Sequence, residues 1–270
     1  MKPDLVDKYL GIIGVHKEPP SYHGLRRLVH AQVYHIPFEN ISKLHYMKYH
    51  GLRSLPDIDV YLDGLEKCRF GGTCYSANYH FYELLVTLGY RARLCGADML
   101  NPDVHLVSMV EIDGRDYLVD VGYAAPFTEP LPRDLDIDHI IRLGSDRYVL
   151  KPQDSKGRSR IELYRGGQLK HSYTAKPTPR TIEEFISIIA DSFKNTSTFM
   201  NAILLARFST DTATIIHNFT LIEYRGFRMT KRTMEDTEAL ATAINDIFGI
   251  PYEISQDVLN DLHQFGDAWS

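Results

Sequence analysis

Cysteine, histidine and aspartate side chains can work together in nucleophilic catalysis, and this chain has them in that order at Cys74, His105 and Asp120. A cysteine thiolate attacks carbonyl carbons, a histidine moves the proton, and an aspartate bonded to one imidazole nitrogen fixes the tautomer of the ring. Free cysteines are more often buried and inert, and a buried His–Asp pair can be purely structural. The chemistry therefore depends on whether the fold brings the three side chains together.

Cys74 is predicted to lie in the first turn of a helix. Apolar residues recur at helical spacing along residues 74–88, and Gly89 is a stop signal. Thr73 is a candidate N-cap, and the Gly-Gly pair at 71–72 allows close backbone approach or a positive φ. Unpaired N–H groups and the helix dipole favour a thiolate there. The position alone leaves a nucleophile and a structural cysteine equally open, and the residues that follow in the chain decide between them.

His105 and Asp120 are predicted to share one face of a β-hairpin. Residues 104–112 and 115–121 have the pattern of strands, and the Asp-Gly pair between them is typical of a type I′ turn. A two-residue loop pairs the last residue of the first strand with the first residue of the second. In that register the two side chains point to the same side within reach of each other, which favours a triad with the cysteine.

Composition and charge exclude several classes of protein. The chain has 270 residues, 30 basic and 35 acidic side chains and a net charge of −5, so nucleic acid is not the expected partner. Three cysteines are too few for a disulfide framework, and no Cys/His spacing resembles a zinc site, so no metal is expected. The N-terminus lacks a signal-peptide pattern and no apolar run reaches membrane-spanning length. We therefore expect a cytoplasmic protein with no membrane partner.

Several motifs together resemble the arylamine N-acetyltransferase family. Residues 70–78, Phe-Gly-Gly-Thr-Cys-Tyr-Ser-Ala-Asn, are similar to the family motif Arg-Gly-Gly-x-Cys-x-x-x-Asn. The N-terminal signature, a histidine followed by Val/Ile-Pro-Phe-Glu-Asn, is matched by His30 and residues 36–40. The family's histidine and Asp-Val-Gly-Phe elements are similar to residues 105–107 and 120–123. The resemblance covers nearly the whole chain, and the ordered set is more specific than any single motif.

The resemblance implies an α/β fold of three units. An N-terminal helical bundle over residues 1–90 would carry the cysteine, and a central antiparallel β-barrel over residues 91–190 would carry the histidine and the aspartate. A C-terminal α/β lid would follow over residues 191–270. The junction of the first two units would hold a Cys-His-Asp core like that of cysteine proteases.

The family's reaction implies ping-pong acetyl transfer. Cys74 would take acetyl from the co-substrate acetyl-CoA, and the thioester would pass it to an arylamine or arylhydrazine in xenobiotic metabolism, with His105 removing the amine proton. An amide synthase-type acyltransferase and a thiol hydrolase are alternatives that use the same triad. The resemblance leaves open the natural acceptor, the preference among acetyl, propionyl and malonyl groups, and the oligomeric state.

Further site residues follow from the resemblance. Acceptor contacts are expected from Phe38, Tyr75, Val104, Tyr123, Phe127 and Glu129, and coenzyme A contacts from Ser197 and Phe199.

Two of the motifs depart from the family's pattern. Phe70 stands where the family has an arginine, so the ion pair of that arginine with Glu39 must be rebuilt or lost. Glu39 is expected to be half-buried and to need a cationic or hydrogen-bonding partner, for which Arg69 is a candidate. Ala124-Ala125 replaces a glycine pair after the aspartate, which would narrow or stiffen the acceptor loop.

Overall fold

The computed structural model describes residues 1–262 and 265–268, and the chain begins with five helices. They are α1 (Pro3–Ile13), α2 (Tyr22–His35), α3 (Ile41–His50), α4 (Ile58–Cys68) and α5 (Cys74–Thr87). The apolar faces of α1, α2, α4 and α5 meet in one core, in which Tyr9, Leu25, Leu62 and Leu84 are fully buried. This bundle fixes the direction of α5, whose first residue is the cysteine.

An eight-stranded antiparallel sheet follows the helices. Its strands are β1 (Arg91–Asp98), β2 (His105–Ile112), β3 (Arg115–Val119), β4 (Leu131–Pro132), β5 (His139–Leu143), β6 (Asp146–Leu150), β7 (Ser159–Arg165) and β8 (Gln168–Pro179). The order is β4-β3-β2-β1-β8-β7-β6-β5. Within the described residues β4 and β5 are edge strands, so the sheet is open where a closed barrel was predicted.

The large sheet nevertheless curves around a single core. Leu118 of β3 and Tyr148 of β6 lie far apart in the strand order, yet both belong to one buried cluster. Phe127, from the loop between β3 and β4, lies in this cluster with its ring 5.6 Å from that of Tyr148. The core inside the curved sheet is therefore filled by aliphatic and aromatic side chains from distant strands and from the loop between β3 and β4.

The hairpin of β2 and β3 has the predicted register. Ile112 pairs with Arg115, and Ser108 pairs with Val119. Asp113 and Gly114 have φ angles of 51° and 74°, which are the positive values that a type I′ turn requires. β2 begins one residue later than predicted and β3 ends two residues earlier, at Val119, so Asp120 directly follows β3.

A second sheet and two helices complete the fold. A 3₁₀ turn (Ile182–Phe185), α6 (Ile186–Asp191) and α7 (Thr198–Asn201) lead to β9 (Leu204–Phe208), β10 (Thr212–His217), β11 (Thr220–Arg225) and β12 (Arg228–Thr233), then α8 (Thr237–Phe248) and α9 (Tyr252–Asn260). Ile41 and Leu44 of α3 pack in one cluster with α8 and α9. The C-terminal unit thus rests directly on the helical unit.

Among the described residues, no helix combines the length and the apolar character needed to cross a membrane.

Candidate active site

Cys74 is the first residue of α5, as the sequence predicts. Thr73 occupies the N-cap position in an extended conformation, but its side chain makes no capping hydrogen bond. The positive end of the helix dipole is therefore not neutralised by the cap side chain. Cys74 is 8% exposed, so this end of the helix acts on a largely buried residue, with little screening by water.

The loop before Cys74 is held by Glu39. The Glu39 carboxylate accepts hydrogen bonds from Gly72 N at 2.7 Å and from the Ser42 backbone N–H at 2.8 Å and hydroxyl at 2.5 Å. Burial raises the pKa of Glu39, and these hydrogen bonds oppose the shift. Arg69 instead donates to the His35 carbonyl. Of the two kinds of partner predicted for Glu39, the structure has the hydrogen-bond donors and not the cation Arg69. The buried carboxylate lies at the start of α3, where Ser42 and Gly72 donate to it.

Gly71 is required where this loop passes Pro37. A Cβ on Gly71 would lie 1.8 Å from the Pro37 carbonyl oxygen, so a side chain would push the loop away.

His105 and Asp120 are joined by a hydrogen bond of 2.8 Å between Nε2 and Oδ2. Asn78 holds the other carboxylate oxygen: its amide nitrogen donates to Asp120 Oδ1 at 2.9 Å and to the Leu106 carbonyl at 2.7 Å. Its amide oxygen accepts from Val121 N at 2.8 Å. Asn78 lies one helical turn after the cysteine, so one face of α5 carries both the thiol and the group that orients the aspartate.

These contacts set the charges of the pair. Burial by itself would lower the pKa of His105, but the Asp120 carboxylate and the Cys74 side chain outweigh it and raise the pKa to about 10. Burial would raise the pKa of Asp120, but the imidazole and the Asn78 amide hold it below its usual range. His105 Nδ1 has no nitrogen or oxygen partner among the described residues. This nitrogen is therefore available to the nearby thiol.

A cavity of about 660 Å³ opens over Cys74 and His105. The predicted substrate residues Phe38, Tyr75, Val104 and Tyr123 line it, and so do Ser197 and Phe199. The Phe38 and Phe199 rings pack edge to face with 5.5 Å between their centroids. The cavity thus has aromatic walls from four different parts of the chain.

Asn40 fixes the wall that contains Phe199. Its amide nitrogen donates to the carbonyls of Phe199 at 3.0 Å and Ala202 at 2.7 Å, and its oxygen accepts from Leu204 N at 3.0 Å. The Pro-Phe-Glu-Asn stretch therefore connects the cysteine loop, the cavity wall and β9.

Phe127 and Glu129 lie elsewhere. Phe127 is 1% exposed and packs inside the curved sheet, with its ring 5.8 Å from that of Tyr123. Glu129 forms a half-exposed ion pair with Arg26 of α2. Neither residue is among those that line the cavity, because the loop after Asp120 turns back into the sheet before it reaches them.

Three lining or supporting residues were missed by the sequence reasoning. Asn78 could have been found as a polar residue on the apolar face that begins at Cys74. Lys43 of α3 is buried and lines the cavity, and its signal is a lysine three residues after the Pro-Phe-Glu-Asn stretch. His171 of β8 lines the cavity with its Nδ1 2.6 Å from the Tyr123 hydroxyl, and no local pattern marks it.

A protein-family model described as N-acetyltransferase matches residues 22–257. The chain belongs to the arylamine N-acetyltransferase family. Arylamine N-acetyltransferase 1 of Bos taurus is 25% identical over 208 residues, which cover 68% of this chain and 70% of that protein. Proansamycin X synthase of Amycolatopsis mediterranei (strain S699) is 38% identical over 85 residues, or 28% of this chain and 32% of that protein.

A solved structure shows the same fold. The Mycobacterium marinum arylamine N-acetyltransferase in complex with CoA has a TM-score of 0.78 at 23% identity, covering 95% of this chain and 99% of that chain. The α/β fold predicted from the resemblance to the arylamine N-acetyltransferase family is thereby confirmed.

Both departures from the arylamine N-acetyltransferase motifs have structural consequences. The Phe70 side chain is buried with its ring 5.6 Å from that of Tyr46, so an aromatic contact replaces the family's ion pair.

Ala124 has a φ of 57°, a left-handed conformation that costs a residue with a Cβ about 1 kcal/mol relative to glycine. The loop after Asp120 therefore stores a small strain.

Proposed function

We propose that the protein transfers an acetyl group from acetyl-CoA to an arylamine or arylhydrazine through a thioester on Cys74. The observation that carries the proposal is the arrangement of three side chains. Cys74 lies at a helix start in the cavity, beside an imidazole whose Nε2 is bonded to the buried Asp120. A thiolate and an imidazolium held in this way form an activated nucleophile and its proton donor.

In the first half-reaction Cys74 Sγ attacks the carbonyl carbon of the thioester. The new C–S bond forms, the bond from carbon to the CoA sulfur breaks, and His105 gives its Nδ1 proton to the departing CoA thiolate. Asp120 holds the ring during this transfer and keeps Nε2 protonated. The half-reaction leaves acetyl-Cys74, a neutral imidazole and free CoA.

In the second half-reaction the amine nitrogen attacks the acetyl carbon on Cys74. His105 Nδ1 accepts the proton from nitrogen, and the Cys74 thiolate leaves, which restores the starting ion pair. A thioester is activated enough to react with weakly basic aromatic amines. The rings of Phe38, Tyr75 and Tyr123 in the cavity wall suit an aromatic acceptor.

The free thiol that this chemistry needs is consistent with the proposed cytoplasmic location, because all three cysteines are free.

Initial rates with acetyl-CoA and 4-aminobenzoate test the proposal. We expect parallel double-reciprocal plots, as the ping-pong sequence requires, and loss of turnover in Cys74→Ala. Intersecting plots, or turnover retained without the thiol, would contradict the covalent route. Acetate release without an acceptor, at a rate equal to transfer, would favour the thiol hydrolase.

A second candidate is an amide synthase-type acyltransferase. The observation in its favour is the 38% identity with Proansamycin X synthase, although over only 85 residues. Such an enzyme would join an amine and an acyl thioester within one substrate molecule. Efficient transfer from acetyl-CoA to a separate aromatic amine would exclude this candidate as the main activity.

A further inference from the structure

Lys43 is a buried cation in the wall of the candidate active site. Its side chain extends from α3 into the cavity that contains Cys74, and the residue is 8% exposed. Nζ donates to the Ser192 hydroxyl at 2.6 Å and lies 4.1 Å from the centre of the Phe193 ring. The Ser192 hydroxyl in turn donates to the Ile189 carbonyl.

These contacts leave Lys43 short of partners. An ammonium group has three N–H donors, and one hydroxyl and one aromatic face satisfy only part of them. No carboxylate of residues 1–262 and 265–268 forms an ion pair with it. Asp191, an acidic residue of the cavity wall, is paired with Lys194 at the surface. Since buried charges are normally paired, the cavity is the remaining place for a counter-ion.

The charge of Cys74 changes during the proposed reaction. Burial lowers the pKa of Lys43 to about 8, and the negative charge of Cys74 opposes this shift, so the two groups act on each other within one cavity. Lys43 remains largely protonated at neutral pH. When Cys74 becomes a thioester, the thiolate charge disappears and Lys43 loses its anionic neighbour.

We propose that Lys43 binds a carboxylate at the far end of the acyl group, so that the preferred donors are monothioesters of dicarboxylic acids such as malonyl-CoA. The proposal rests on acyl transfer through Cys74 and specifies its donor. The same bonds form and break as with acetyl, and the carboxylate keeps its charge throughout. The diphosphate of CoA is a less suitable anion, because the long pantetheine arm separates it from the thioester.

Single-turnover acylation of Cys74 by malonyl-CoA and acetyl-CoA tests the proposal. In the wild type we expect malonyl transfer to be favoured about ten- to hundredfold, the effect of one charge-assisted hydrogen bond in a buried site. Lys43→Met keeps the length of the side chain and should remove this preference, so that the two donors acylate Cys74 at about equal rates in the variant. Lys170→Met is the matched control, because Lys170 is exposed and precedes His171 of the same cavity on β8. It should leave both rates unchanged.

Equal rates for the two donors in the wild type would overturn the proposal, and so would an equal loss of both in Lys43→Met. Calorimetric binding to Cys74→Ala separates this question from the chemistry. Malonyl-CoA should bind more tightly than acetyl-CoA, and Lys43→Met should abolish the difference. If that holds but no thioester forms, the acyl transfer is wrong and the anion site stands. If Lys43→Met weakens unacylated CoA by the same factor, the anion is the diphosphate and the proposal fails.

Discussion

Gly122→Ala tests how closely the loop after β3 must pack on α5, the helix that begins with Cys74. A Cβ on Gly122 would lie 2.8 Å from Cys74 Cα, 2.8 Å from Asn78 Nδ2 and 3.1 Å from the Cys74 carbonyl oxygen. A Cβ atom in a protein essentially never lies within 3.0 Å of a non-bonded heavy atom, so something must shift. Two of the three atoms belong to the backbone, so rotation of a side chain cannot relieve the contact.

The structure has to respond by separating α5 from the strand end that carries Asp120. Gly122 N also donates to Asp120 Oδ1 at 3.1 Å, so the shift would loosen the group that orients His105. Overpacking of this kind costs about 1–3 kcal/mol of unfolding free energy, or roughly 2–12 °C in Tm for a chain of this size. Acylation of Cys74 should slow about ten- to hundredfold, because the thiol and imidazole move apart by a fraction of an ångström.

Gly11→Ala is the matched control. Gly11 lies inside α1, and a Cβ there would meet nothing within 4 Å. This substitution should raise the unfolding free energy by about 0.5–1 kcal/mol, because alanine favours the helix, and leave acylation unchanged. Thermal unfolding and single-turnover acylation of both variants give the comparison. If Gly122→Ala were as stable and as fast as the wild type, the close packing of Gly122 on α5 would be refuted.

Three further predictions use stability and activity. Lys43→Met should be more stable than the wild type at pH 7 by up to about 3 kcal/mol, because the folded pKa of about 8 lies below the ordinary 10.5. Burial of the Lys43 charge costs the wild type its full unfolding free energy penalty below pH 8, and this penalty disappears as the pH rises to 10.5. Denaturant titrations should therefore show the stability advantage of Lys43→Met shrinking between pH 8 and 10.5. An advantage that stays constant with pH would contradict the lowered pKa of Lys43. Asn78→Ala should lower the unfolding free energy by about 2–4 kcal/mol, since it takes one donor from the buried Asp120 carboxylate and removes the side-chain partner of the Leu106 carbonyl and of the Val121 N–H. Urea unfolding within 1 kcal/mol of wild type, roughly the net worth of one hydrogen bond, would show that these groups find other partners. Glu129→Gln removes only a half-exposed ion pair with Arg26 and should change stability by less than about 1 kcal/mol and acetylation by less than about twofold; a large rise in KM for the amine would return Glu129 to the acceptor site.

Local sequence signals were sufficient for the two elements that carry the candidate chemistry. The Asp113-Gly114 turn fixes the hairpin register through backbone conformation alone, so the facing of His105 and Asp120 follows from counting residues. The helix start at Cys74 is likewise determined within a few residues, by the glycines and the apolar spacing that follows.

Contacts between residues far apart in the chain could not be predicted from local sequence signals. Whether Phe127 faces substrate or core depends on the curvature of the sheet, which brings Tyr148 of β6 over the loop after β3. Glu129 meets Arg26, 103 positions earlier in the chain. Strand patterns likewise predict antiparallel pairing but do not determine whether the edge strands of a sheet close into a barrel.

The partners of Glu39 illustrate a different limit of sequence-based prediction. The sequence shows that the carboxylate must have partners, and loss of the family arginine draws attention to the neighbouring Arg69. The structure instead surrounds Glu39 with donors from the cysteine loop and the start of α3. Backbone N–H groups carry no sequence signature, so this solution is invisible before the fold is known.

The central claim is that Cys74 carries the acyl group between donor and acceptor. Intact mass spectrometry after mixing the protein with acetyl-CoA or malonyl-CoA, without an amine, tests it directly. We expect the wild type to gain one acyl group, the gain to be absent in Cys74→Ala, and the mass to return to its starting value when an aromatic amine is added. An unmodified, folded wild-type protein, or an equal gain in Cys74→Ala, would contradict the account.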